Sequence, residues 1–201
     1  MAGLDNLLAK SLDEVIRKNL GSETVQKIED RLFEKFGISL TQAMTKFDKL
    51  DVVLREFFGR GADGLETKFF ESIFQTSTKK SKDKWYTLYD SRISSIILQA
   101  FGDPDKKKIL ECVSSTPQII SDILSNCDLP QTSGYRKINS LIDDGLLLQS
   151  GYIAKDNKKI NKYVCAFNNL KINIEKSKIT IDVQLSDVDR QESTILQTIR
   201  I

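Results

Sequence analysis

The sequence predicts a mainly α fold with a small β component, in three parts: a helical module over residues 1–75, a mixed unit over 85–167, and a β-extension with a tail over 168–201. Three observations predict it. Apolar residues recur every three or four positions through most of the first 75. Residues 76–84, Thr-Ser-Thr-Lys-Lys-Ser-Lys-Asp-Lys, then lose every large apolar side chain and gain charge. That is the composition of a solvated linker between separately packed units or, on another reading, of a phosphate-binding strip. After Gly145 the apolar period changes from helical to two, as strands require.

In the module, Leu4, Leu7, Leu8, Leu12, Val15 and Ile16 predict a first helix stopped at Gly21. Ser22 opens a second, through Val25, Ile28, Leu32, Phe33 and Phe36 to Gly37. Ser39 with Gln42 has capping-box spacing and starts a third, whose stripe Leu40, Ala43, Phe47, Leu50, Val53, Leu54 and Phe57 runs to Gly59. A fourth takes Leu65, Phe69, Phe70 and Ile73. The Phe57-Phe58 and Phe69-Phe70 pairs are either core or the lining of an effector pocket.

Beyond the linker, Trp85 to Leu88 is a short strand and Ser91 to Phe101 a helix. Asp103-Pro104 opens the next helix, with Pro104 suited to its first position, and Thr116-Pro117 opens another containing Ile119, Ile120, Ile123 and Leu124. A turn at Leu129 leads to a third short helix ending near Gly145. Leu146 to Ala154 and Tyr163 to Phe167 form a hairpin about the polar turn Asp156-Asn157-Lys158-Lys159. A second pair, 170–174 and 178–183, is expected to extend that sheet, with a polar tail after it.

The third short helix is the most informative stretch. Leu129, Ile138, Leu141 and Ile142 face inward at its spacing, which leaves Gln131, Thr132, Ser133, Tyr135, Arg136 and Asn139 outward. A helix fits the major groove of DNA with its N-terminal half nearest the bases. Gln131, Thr132 and Tyr135 are therefore candidates for base contact. Arg136 suits either a guanine edge or a phosphate, and Lys137 or Asn139 suits the backbone. Gly134 marks a close approach to the neighbouring helix. The hairpin end gathers Lys155, Asn157, Lys158, Lys159 and Lys162, which serve either solubility or contact with flanking phosphates; Lys106, Lys107 and Lys108 pose the same choice.

Charge follows this division. Residues 1–75 carry 11 basic and 13 acidic side chains, 76–167 carry 14 and 10, and 168–201 carry 5 and 5, so the positive excess of a chain with net charge +2 lies around the reading helix. Cys112, Cys127 and Cys165 share no ligand spacing and there is no histidine, so no metal or cofactor is expected. No nucleophile is paired with a base and no glycine-rich phosphate loop is present, which argues against an enzyme. No apolar run approaches the roughly 20 residues that span a bilayer, and the first residues do not have the pattern of a secretory leader, so the reducing cytoplasm is expected.

The succession helix, helix, Leu129-Pro-Gln-Thr-Ser-Gly-Tyr-Arg-Lys-Ile-Asn-Ser-Leu-Ile-Asp-Asp-Gly-Leu-Leu147, hairpin resembles the winged helix-turn-helix domain of ArsR-type regulators, archaeal members above all, over residues 103–167. The resemblance implies a DNA-binding transcription regulator whose hairpin is the wing. Residues 1–75 resemble, less specifically, an output or sensing module that precedes such domains, which would bring an effector of unknown identity. The absence of clustered cysteine and histidine departs from the metal-sensing members. One motif covers a half-site, so a homodimer on double-stranded DNA is expected, through the helices at 4–20 or 91–101 or the strand pair after 168. The alternative is a winged-helix protein–protein interaction module in a transcription-related assembly.

Overall fold

The computed structural model describes residues 3–76, 84–155 and 158–198. The chain is mostly helical, with two small antiparallel sheets. Helices α1 (Gly3–Leu20), α2 (Ser22–Phe36), α3 (Leu40–Met44), α4 (Phe47–Phe58) and α5 (Ala62–Glu71) make up the first part. The leucine stripe of α1 is inside, with Leu7, Leu8, Leu12 and Ile16 fully buried. Gly37, in the left-handed conformation, ends α2 by donating its N–H to the Phe33 carbonyl, and Ser39 and Gln42 form the expected capping box.

The single helix expected from Leu40 to Phe57 is instead two. The chain turns at Thr45-Lys46, and the Phe47 N–H that opens α4 is bonded at 2.8 Å to the hydroxyl of Thr194, 147 residues away. A cap supplied from so far along the chain leaves no local signal in the apolar stripe.

Strands β1 (Phe74–Thr76) and β2 (Tyr86–Leu88) pair with each other across the charged segment, whose residues 77–83 lie outside those described. Asp90 caps α6 (Ser91–Gly102) and Asp103 caps α7 (Pro104–Cys112), each carboxylate accepting two backbone N–H bonds, with Pro104 in the first turn as its fixed φ allows. The next helix begins later than Thr116-Pro117 suggests. Gln118 and Ile119 form β3, drawn into the sheet by pairing with Tyr163 and Lys162, and α8 (Ile120–Asn126) follows. Helix α9 (Gln131–Asp143) then leads to β4 (Leu147–Lys155) and β5 (Lys158–Cys165), giving a sheet of order β3-β5-β4.

Strands β6 (Phe167–Glu175) and β7 (Lys178–Leu185) do not extend that sheet. They join β1 and β2 in a second one, of order β1-β2-β7-β6, because β7 presents Ile181 and Val183 to the core beside Leu88 and Tyr86. Period-two alternation in the sequence specifies two faces but not a neighbour, which is why the sheet assignment fails.

The tail forms α10 (Asp187–Glu192) and α11 (Thr194–Thr198), packs on α4 and is bonded to the start of α1. Here two helix ends cap each other. The Asp189 carboxylate accepts the Leu4 N–H at 3.0 and 3.1 Å, while Asp5 accepts from the Ser193 hydroxyl at 2.5 Å and from the Thr194 N–H and hydroxyl, both at 2.7 Å. Burial raises the pKa of Asp189 to about 7, and raises that of Asp5 against the lowering effect of its hydroxyl partners. One apolar core runs from Leu4 to Ile195, through both sides of the segment at 76–84.

Candidate functional site

Helix α9 sits on α7, α8 and β4 through Gly134, Ile138 and Leu141, all buried. A methyl group on Gly134 would stand 2.2 Å from Leu124 Cδ2 and 3.3 Å from Leu129 Cβ, so the helices approach as closely as the sequence suggests. With that face inward, Gln131, Thr132, Tyr135, Arg136 and Asn139 are exposed, and Ser133 is half-buried with its hydroxyl donating to the Pro130 carbonyl. Tyr135 leaves 44% of its surface in solvent, which a neutral aromatic side chain gains by covering. Among the described residues Arg136 has no carboxylate partner.

Lys137 is placed differently. Its ammonium lies between α9 and the start of α7, 2.6 and 2.7 Å from the Asp103 oxygens and 3.1 Å from Asp105. These bonds raise the lysine pKa and lower that of Asp103. The charge braces the two helices and does not join the outward face. Lys106 likewise donates to Ser140 at 2.8 Å, and Lys107 pairs with Glu111, whereas Lys108 is exposed.

On the hairpin, Lys155, Lys158 and Lys159 are exposed and Lys162 is half-buried; Asn157 lies outside the described residues. Lys155 stands directly opposite Lys158 in the ladder, a like-charge pair that costs stability and is relieved by a bound anion. The Lys159 ammonium lies 4.7 Å over the ring of Tyr152, itself 55% exposed, a contact with no sequence signal beyond an aromatic at a strand position. A register shift between Gln149 and Tyr152 marks a bulge that adds twist toward the tip.

The contact of the first helix with this unit has no signal in the sequence. Lys10 of α1 forms an ion pair at 2.9 Å with Asp144, just past the end of α9. Gly3 and Gly145 meet backbone to backbone, and a cleft of about 530 Å3 lies between the elements, lined by Asn6, Lys10, Thr41, Ile142, Gln149 and Tyr163. The phenylalanine pairs do not line it: Phe69 and Phe70 are core, and Phe57 is 41% exposed.

The three cysteines are free. Burial and the neighbouring Cys112 thiol push Cys127 up to about 11, and burial raises Cys165, so both stay protonated near neutrality. Among the described residues no group of three His, Cys, Asp or Glu side chains could hold a metal ion, and no helix is long and apolar enough to cross a membrane. Glu66 is buried beside Asp51, and desolvation together with that neighbour raises it to about 8. It belongs to α5 and not to the outward face of α9. No protein-family model, curated protein or solved structure matches this chain.

Proposed function

We propose that the chain is a transcription regulator that binds double-stranded DNA through a winged helix-turn-helix unit, as a homodimer in the cytoplasm, in the manner of the ArsR-like proteins it resembles. In this reading α7, α8 and α9 are the three helices, α9 is the reading helix, and the β4–β5 hairpin is the wing. The observation that carries it is the outward face of α9: Gln131, Thr132, Tyr135, Arg136 and Asn139 are all exposed, and among the described residues no acid neutralises the guanidinium. A helix about 10–12 Å across enters a major groove about 12 Å wide with such a face against the base edges. The lysines of the hairpin then meet the flanking phosphates, where the Lys155–Lys158 repulsion is relieved. Lys137 serves this function indirectly, by fixing α9 against Asp103 and Asp105.

Selection from a pool of random duplexes, followed by fluorescence anisotropy on the enriched sequence, tests the reading. Each bidentate or stacked base contact contributes roughly 1–3 kcal/mol of discrimination, so the double variant Tyr135→Ala/Arg136→Ala is expected to lose at least about thirtyfold in affinity for the enriched site. Its circular dichroism should be unchanged, since both side chains are exposed. Affinity equal to wild type at matched salt would remove α9 from the interface. For the hairpin, Lys158→Glu/Lys159→Glu should weaken binding to specific and unrelated duplexes alike and flatten the log–log salt dependence by about 2. A loss confined to the enriched sequence would contradict a phosphate-binding role.

A further inference from the structure

The β1-β2-β7-β6 sheet leaves β6 at an open edge, nine residues long. An exposed edge of that length is a template for another strand unless something covers it. Toward the hairpin turn, residues 171–175 are all exposed, with Ile172 at 39% and Ile174 at 67%. The two helices that the sequence offers for joining copies are taken: the apolar stripes of α1 and of α6, with Ile93, Ile97 and Ala100 at 0%, face the chain's own core.

We infer that β6 pairs with β6 of a second copy of this chain, antiparallel about a two-fold axis at Asn173, to give a continuous eight-stranded sheet. The strand is self-complementary in that register. Pairing about position 173 sets Ile172 opposite Ile174 of the second copy on one face, and Lys171 opposite Glu175 on the other. Opposed side chains in such a ladder stand about 4.5–5.5 Å apart at Cβ, within contact for isoleucine and within reach of an ion pair for lysine and glutamate. Moving the axis one residue either way separates Lys171 from Glu175. Lys171 is held on its face by the Trp85 ring, 4.3 Å from its ammonium, and Glu175, which stands opposite Lys178 in its own hairpin, makes no ion pair within 4 Å among the described residues. The two-fold operator makes the interface isologous, so each copy satisfies the other's edge and the assembly stops at two. This interface gives a location to the homodimer of the reading above, and its test involves no DNA, so either can fail alone.

Sedimentation velocity of the full chain over a concentration series, without nucleic acid, should show a species of twice the chain mass. Ile174→Asp, which places a carboxylate against Ile172 of the second copy while changing an exposed site, should raise the dissociation constant at least about tenfold. A wild type that stays monomeric throughout, or an Ile174→Asp chain that dimerises as before, overturns the proposal. Register is read separately with Asn173→Cys. At the axis the two Cα atoms lie about 4.5–5.5 Å apart, within disulfide range, so mild oxidation with diamide should give a covalent dimer. Asn169→Cys, displaced by eight residues from its counterpart, and the wild type with its three native cysteines should not. Equal cross-linking in all three overturns the register.

Discussion

Gly145→Ala is expected to lower the melting temperature by at least about 10 °C, from a loss of roughly 4 kcal/mol. Gly145 ends the turn after α9 with φ +75°, where a β-carbon costs about 1–2 kcal/mol by itself. Its added carbon would also lie 2.3 Å from the Gly3 carbonyl oxygen and 2.9 Å from the Leu7 nitrogen. Both are backbone atoms of α1, which no rotamer change can move. Gly151, at φ +79°, would place such a carbon in open space, with no neighbour within 4 Å, so Gly151→Ala isolates the conformational cost. Thermal denaturation of the two variants, followed by circular dichroism, compares them directly; equal losses would mean that α1 does not press on the end of α9.

Stability is expected to fall as pH rises from about 4 to about 8, the reverse of the trend set by ion-paired carboxylates. Asp189 and Glu66 have folded-state values raised to about 7 and about 8, and Asp5 is raised as well, in each case by burial first. A carboxyl group whose pKa is higher in the folded chain than in the unfolded one binds more protons when folded. Its protonated form favours folding below the folded pKa, and that advantage is lost as the pH climbs through the interval. For Asp189, fully buried, the loss is on the order of 4 kcal/mol between the ordinary carboxylate value and about 7. The depressed Asp103 works in the opposite direction, its contribution being lost only as the pH falls through its lowered value. Asp189→Asn keeps an acceptor for the Leu4 N–H while removing the ionisation. The variant should hold its melting temperature between pH 5 and 8 better than wild type, and an unchanged slope would show that Asp189 does not titrate in this window.

What could be read from the sequence was what neighbouring residues determine. The Ser39–Gln42 box, the Asp103-Pro104 opening, the left-handed stop at Gly37 and the packing of Gly134 all lie where local spacing puts them, because each is satisfied within a few residues or by an adjacent helix. The outward set on α9 was legible for the same reason, since helical period alone sorts Tyr135, Arg136 and Asn139 from Ile138 and Leu141. The failures are non-local. The helix break before Phe47 depends on Thr194, the brace on Lys137 comes from 34 residues upstream, and the neighbour of β7 is the three-residue β2. A lysine on a polar helix face looks alike whether it meets a phosphate or an aspartate on the preceding helix.

The exchange of carboxylate caps between the ends of α1 and α10–α11 has a consequence for how the chain acquires its structure during synthesis. The first helix cannot complete its amino-terminal caps until residues 187–198 have left the ribosome, since Asp5 and the Leu4 N–H find their partners only there. Contacts between positions 185 and 189 residues apart demand a large loop closure, which places their formation late. Until then the Leu4 N–H and the Asp5 carboxylate at the start of α1 have only water to bond, although α2, α3, α5 and α6 already cover its leucine stripe.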